Sequence, residues 1–376
     1  MVVHIGTMKS GTTYLQNVLL GFDQQLRSAG WLYPDSRQIP GEVPSHERAL
    51  GGLVGSAIPW VTPARQASRR PAWERLRAAS ADWPGPVLLS AEALAVMDEA
   101  GIETLLRALP ASRFRIVLTG RDLGRVLPSS WQQHVRNGRT DSYHDYLDAI
   151  RLARETPQSA PANHTFWRSY GLPDVVARWR AGPGVEEVIL VTVPRSAPPE
   201  QLWHRFREGA GLPSSIPDEP PAVPRVLAHV GATAAEALIV EALVRRMEAD
   251  GVPVEQRAAT ARRVMVDTLL GRADRGSPLR LPAGWLDEVR RWAREDMDSL
   301  RALDVAVVGS LDDLEVDDPG VDGPVAPPEE VAEAAAATIL ELRARQPTGA
   351  RGRLRDRLLG ALASRRPVDR RPADRG

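Results

Sequence analysis

The chain has 376 residues and 48 basic side chains, of which a single one, Lys9, is lysine and 47 are arginine. Lys9 falls in residues 6–13, GTMKSGTT, between the β-branched run 2–5 and an apolar helical pattern. An ammonium is a compact point charge and a guanidinium a planar fork, so a tight backbone loop that needs the former resists replacement by the latter. Strand, glycine loop and helix start, in that order, converge free backbone N–H groups at the positive end of a helix dipole, which makes an anion site. Gly6 and Gly11 have the G-x4-G spacing of the nucleotide-binding P-loop, but that motif places Lys directly after the second Gly. Here Lys9 precedes Gly11 by two residues and Thr12 and Thr13 follow it, so an ordinary kinase or ATPase register fails; a P-loop kinase of unusual register stays as an alternative.

A second stretch, RIVLTGRDLGRVLPSSWQQHVRNG, carries Arg121 at a strand end and Ser129 eight residues later. A guanidinium can give a phosphate two parallel charge-assisted hydrogen bonds, with a hydroxyl as a third donor. The plainer alternative pairs Arg121 with a neighbouring acid and makes Ser129 a helix cap. Two residues compete as a general base. Glu92 follows the buried run 87–89, so its carboxylate should emerge at a strand's carboxyl end beside the loop, or else serve as a helix N-terminal acid. His46 lies in a turn-rich segment and has a suitable ordinary pKa near 6.5; it is otherwise a surface or capping residue, or the base with Glu92 as its orienting partner. His134 reads as structural, and Arg125 and Arg136 add positive charge without an assigned target.

These residues need a scaffold. Strand runs at 2–5, 87–89, 114–119, 188–193 and 305–308 alternate with helical patterns at 14–29, 73–81, 100–109, 143–154, 174–180 and 199–209. Further helical patterns cover 232–250, 254–270 and 286–303. Alternating strands and helices predict an α/β, P-loop-like three-layer fold with a central parallel sheet, and ligands of such sheets sit at the carboxyl ends of the strands. The expected domain covers 1–314. An acidic linker rich in Pro and Gly is expected at 315–329, then a helical, Arg-rich tail over 330–376. In the tail Leu354, Leu358, Leu359 and Leu362 share one face, which suits either peripheral contact with an anionic membrane, a partner, or a solvated segment.

The segment HIGTMKSGTTYLQ resembles the 5'-phosphosulfate loop of sulfotransferases that use 3'-phosphoadenylyl sulfate (PAPS), and the Arg121–Ser129 segment is similar to that family's 3'-phosphate-binding segment. HERAL at 46–50, VLLSAEAL at 87–94, VILVTVP at 188–194 and VAVVGSLDDL at 305–314 look like recurring segments of its bacterial branch, so the resemblance spans about residues 2–314. It implies that Lys9, Ser10, Gly11, Thr12 and Thr13 hold the 5'-phosphosulfate and that Arg121 and Ser129 hold the 3'-phosphate. Tyr14 stands where many members stack Trp on the adenine, and Tyr can stack as well. The implied reaction moves a sulfuryl group from PAPS to a hydroxyl of a carbohydrate, glycolipid or small metabolite, leaving adenosine 3',5'-bisphosphate. Lys9 then stabilises the leaving oxygen, Glu92 or His46 takes the acceptor proton, and no metal is needed. A catalytically silent nucleotide-binding paralogue is the further alternative, expected if neither acid nor imidazole faces the sulfur position.

Composition narrows the rest. Basic and acidic residues balance at 48 each, which leaves no global positive field for a nucleic acid. Zero cysteines exclude disulfides, thiolate metal sites and a Cys nucleophile. No apolar run approaches about 18 residues and Met1 opens into a polar glycine loop, so a soluble, cytoplasmic protein is expected. Trp60, Trp131 and Trp167 read equally as packing or as sugar-stacking residues, and the oligomeric state is not legible.

Overall fold

Strand runs this short and apolar need cover on both faces, which a parallel sheet between two helical layers provides. The computed structural model describes residues 1–34, 45–156, 165–222, 231–270, 275–323 and 325–344. They form a three-layer α/β fold around five parallel strands, β1 (Val2–His4), β2 (Leu88–Ser90), β3 (Phe114–Gly120), β4 (Val185–Thr192) and β5 (Ala306–Val308), in the order β2-β1-β3-β4-β5. Between β1 and β2 lie α1 (Thr12–Gly21), α2 (Asp23–Ser28), α3 (Glu47–Val54) and α4 (Pro63–Ala81), and α5 (Glu99–Ala108) joins β2 to β3. Next come α6 (Leu123–Arg136), α7 (Tyr143–Glu155), α8 (Phe166–Tyr170) and α9 (Leu172–Arg180) before β4. The helices α10 (Pro199–Ala210), α11 (Ala234–Ala249), α12 (Val254–Val264) and α13 (Leu286–Ala302) precede β5, and α14 (Pro328–Ala344) follows it.

Successive strand residues point to opposite faces, and the two faces feed two cores. Val3, Leu89, Ile116, Leu118 and Leu190 pack with α3, α4, α5 and α9, whereas Val2, Leu88, Val117, Ile189 and Val191 pack with α1, α2 and α10. A third core, around Trp131, Leu147, Val240 and Trp292, joins α6, α7 and α8 to the later helices.

The register lines up the strand ends that matter. His4 pairs with Ser90 on one side and Val117 on the other, and β3 continues to Gly120, so Thr7 still donates its N–H to Thr119 O at 2.8 Å. From β1 the chain goes to β2, and from β3 to β4 on the far side, so the order reverses between β1 and β3. Open α/β sheets bind ligands in the crevice outside such a switch point. The loop after β1 and Arg121 after β3 flank it.

Several expected boundaries move. The helical pattern at 14–29 is two helices, because Phe22 leaves helical geometry (φ −98°, ψ 14°) to pack its ring on Trp203 at 5.4 Å. The turn-rich segment expected to hold His46 ends at that residue, which caps α3, and α4 begins ten residues before the expected 73, capped by the Thr62 hydroxyl and running through Pro71. The segment 315–329 is not a free linker: Val316 and Ala326 are buried in the third core, and Val321 donates its N–H to Leu281 O at 2.9 Å. The Arg-rich stretch from 345 onward, with its leucine face, lies outside the described residues. Among the described residues no helix is long and apolar enough to cross a membrane.

Candidate functional site

The loop from Gly6 to α1 is held from below. The Ser10 hydroxyl donates to Thr7 O and also meets Thr119 Oγ1, each at 2.5 Å, while the Thr12 hydroxyl donates to the same Thr7 carbonyl at 3.1 Å. Both side chains are fully inside, so they shape the loop, and what they offer a ligand is backbone N–H. Among the described residues the N–H groups from Met8 to Tyr14 meet no acceptor, which is the array expected of a loop feeding a helix N-terminus. Lys9 (φ 64°) and Gly11 (φ 86°) both take the left-handed region that creates this concavity. For Lys9 that conformation costs about 1–2 kcal/mol. Its carbonyl accepts from Arg121 Nη1 at 3.0 Å, which ties the loop across the switch point to β3.

Arg121 keeps donors in reserve. Its Nε is buried and meets no acceptor among the described residues, and its guanidinium is pushed down to about 10 by burial and then by neighbouring Arg125, against the pull of Asp122. Ser129, in the second turn of α6, is half-buried, and its hydroxyl has no partner among the described residues. Its neighbour Ser130 is spent on packing: it donates to Leu127 O and accepts from Tyr146 Oη, both at 2.9 Å. Arg125 now has a target, since it pairs with Asp122 and donates to the carbonyls of Val193 and Pro194, clamping α6 to the end of β4. Arg136 has none among the described residues.

Glu92 opens the short 3-10 turn after β2. A Cβ placed on Gly6 would lie 2.9 Å from Glu92 O, so the bare glycine, at φ 96°, lets the loop start against this residue. Arg178 donates to the carbonyls of Ala95 and Met97 and Arg168 to that of Val96, which fixes the turn. Burial, then the carboxylate of Glu47, raise Glu92 to about 7, offset by Lys9 and Arg136. Lys9 is lowered to about 8, by burial first and then by Arg136, while Glu92 pulls it up. A lysine in the loop and a carboxylate against it are thus both shifted toward neutrality, mainly by burial.

His46 is not a candidate base. It is fully buried, Ser90 N–H donates to its Nδ1 at 2.9 Å, and Nε2 faces Pro34 O at 3.0 Å, which assigns a neutral ring with the proton on Nε2. A ring with both nitrogens bonded to backbone cannot accept a substrate proton. The residue that reaches the site is the next one, Glu47, raised by burial, close to the Trp60 indole N–H and acting on Glu92. The sequence reading missed it; the signal was an acid opening a helix that had not been assigned. Tyr14 sits at the loop rim with its hydroxyl buried and unpartnered among the described residues, raised to about 12 by burial and then by Glu200. His134 pairs with Asp141 at 2.6 Å, as a structural residue should. Trp131 and Trp167 are packing residues whose indoles donate to Asp141 O and Ile150 O, whereas Trp60 is 40% exposed.

Compared with protein-family models, curated proteins and solved structures, the chain matches none.

Proposed function

We propose that the chain is a sulfotransferase that moves the sulfuryl group of PAPS to a hydroxyl acceptor. The observation that carries this reading is the hydrogen bond from Arg121 to the Lys9 carbonyl, which joins the two phosphate-type motifs at the switch point while each retains unpartnered donors. Residues present suit the nucleotide: the N–H groups of Ser10, Gly11, Thr12 and Thr13 with Lys9 for the 5' end, Arg121 and Ser129 for the 3'-phosphate, and Tyr14 for the base. PAPS supplies the activated sulfur–oxygen bond. Lys9 stabilises the negative charge that grows on the leaving phosphate oxygen, and fixed N–H donors add to it without reorganising. Glu92 receives the acceptor proton as the hydroxyl oxygen bonds to sulfur, and a carboxylate held near 7 is suited to that at neutral pH. Burial holds it there first, and nearby Glu47 adds to the rise. A carboxylate against the loop argues for a working enzyme over a silent nucleotide-binding chain.

The test is isothermal titration, without metal, of adenosine 3',5'-bisphosphate and of ATP into the wild type and Arg121→Ala. The bisphosphate is expected to bind clearly better, and loss of Arg121's charge-assisted bonds, roughly 1.5–3 kcal/mol, to weaken it at least tenfold. Equal or tighter ATP binding, or a requirement for Mg²⁺, overturns the reading in favour of a kinase. Turnover of PAPS with hydroxyl acceptors follows if the first outcome holds.

A further inference from the structure

Lys9 and Arg121 belong to the nucleotide loop and Arg125 is spent on Asp122 and the end of β4, but Arg136 has no partner among the described residues. It lies on α6 seven residues beyond Ser129, which is two turns and about 10 Å further along the same helix face. Its side chain is half-buried, and no described residue forms an ion pair or hydrogen bond with it. Lys9 and Glu92 both feel its charge. On its other side is Arg262 of α12, a helix that packs across α6 and is joined to its end where Arg257 donates to Gly138 O at 2.9 Å. Glu92 acts on it from a distance but forms no ion pair with it, and a half-buried guanidinium beside another arginine, without a carboxylate in contact, is costly unless an anion completes it. The nucleotide does not need it, since both of its ends have their own donors. Glu92, which receives the acceptor's proton, puts Arg136 on the acceptor side.

We infer that Arg136, backed by Arg262, receives a carboxylate or sulfate borne by the acceptor, so that the substrate is a hydroxyl compound already carrying negative charge. This rests on the sulfotransferase reading and names its substrate class. A planar fork suits either anion bidentately, and the anion held there also removes the repulsion between Arg136 and Lys9.

The experiment titrates three probes of similar size into protein saturated with adenosine 3',5'-bisphosphate: a neutral 4-nitrophenyl glucoside, the corresponding glucuronide, and the glucoside 6-sulfate. At least one anionic probe is expected to bind tenfold or more tighter than the neutral one. Arg136→Gln should erase that preference and leave bisphosphate affinity within twofold of wild type, which also reports an intact fold, while Arg136→Lys retains part of it. The better of the two anionic arms identifies the group. Equal or undetectable binding of all three probes overturns the inference, and so does a loss of bisphosphate affinity in Arg136→Gln as large as the loss of the probe, which would make Arg136 a nucleotide contact. If the bisphosphate fails to bind the wild type at all, the sulfotransferase reading itself falls, and this inference falls with it.

Discussion

Directly beneath the loop and directly above it, the same kinds of side chain are in opposite states. Below, His4 Nε2 meets Thr119 Oγ1, His4 Nδ1 meets Ser90 Oγ, Gln16 donates to that hydroxyl, and the Ser90 N–H donates to His46. The bond from the Ser90 N–H assigns the His46 ring as neutral, and burial lowers His4 to about 3, which keeps that ring neutral as well. Above, Lys9, Arg121, Ser129 and Arg136 keep unspent donors. A fully satisfied buried network is rigid, and here it underlies the strand ends and the loop that carry the unsatisfied groups. The difference separates scaffold from site better than residue type does, because histidine and serine occur in the former and would ordinarily be sought in the latter.

The largest effect should come from the upper set at Lys9. Lys9→Gly relieves the left-handed backbone and removes the side chain with its charge; PAPS turnover is expected to fall by roughly 100-fold or more while stability holds or rises. Lys9→Arg keeps the charge and changes its shape, and at least a tenfold loss of bisphosphate affinity is expected from titration. Wild-type affinity in Lys9→Arg would mean that the single lysine of the chain marks nothing. Lys9 loses its proton near pH 8, so bisphosphate affinity should also decline as the pH is raised through that value.

In the lower set, His46→Ala strands the Ser90 N–H in a dry place and should cost about 1–3 kcal/mol in denaturant unfolding. His46→Asn should recover part of this. Neither variant should shift the pH at which turnover rises; a shift would restore His46 as the base. This residue shows where sequence reading ends. The loop, the strand ends and Arg121 were legible because strand period and glycine spacing act over a few residues. Whether a histidine's nitrogens are taken depends on Ser90 and Pro34, which only the fold brings to it. Likewise Val316 and Ala326 are buried by helices hundreds or tens of residues away in sequence, and the surrounding Pro and Gly spoke only for local backbone.

Glu92 lies between the two sets, and its stability effect has a definite sign. Its folded pKa, about 7, is raised above the ordinary 4.5, so its contribution is fully present below 4.5 and is lost as pH climbs through 7. Glu92→Gln is therefore expected to raise the melting temperature by several degrees at pH 8 and to leave it nearly unchanged at pH 4. The same variant should abolish the rise of turnover with pH near 7. A melting gain that is equal at both pH values would show that Glu92 is not held protonated, and the base would then be sought at Glu47.

The smallest effect is the sharpest comparison, since Ser129 and Ser130 are adjacent on one helix and belong to opposite sets. Ser129→Ala removes a half-buried hydroxyl without a partner among the described residues: unfolding should be unchanged, and bisphosphate affinity should fall by about fivefold, the equivalent of about 1 kcal/mol. Ser130→Ala removes a buried acceptor and strands the Tyr146 hydroxyl, so stability should fall by about 1–3 kcal/mol with affinity intact. Adenosine 5'-phosphate, which lacks the 3' group, should bind wild type and Ser129→Ala alike. If instead Ser129→Ala weakens both nucleotides equally, its hydroxyl serves the loop rather than the 3'-phosphate, and the spacing of eight from Arg121 loses its chemical meaning.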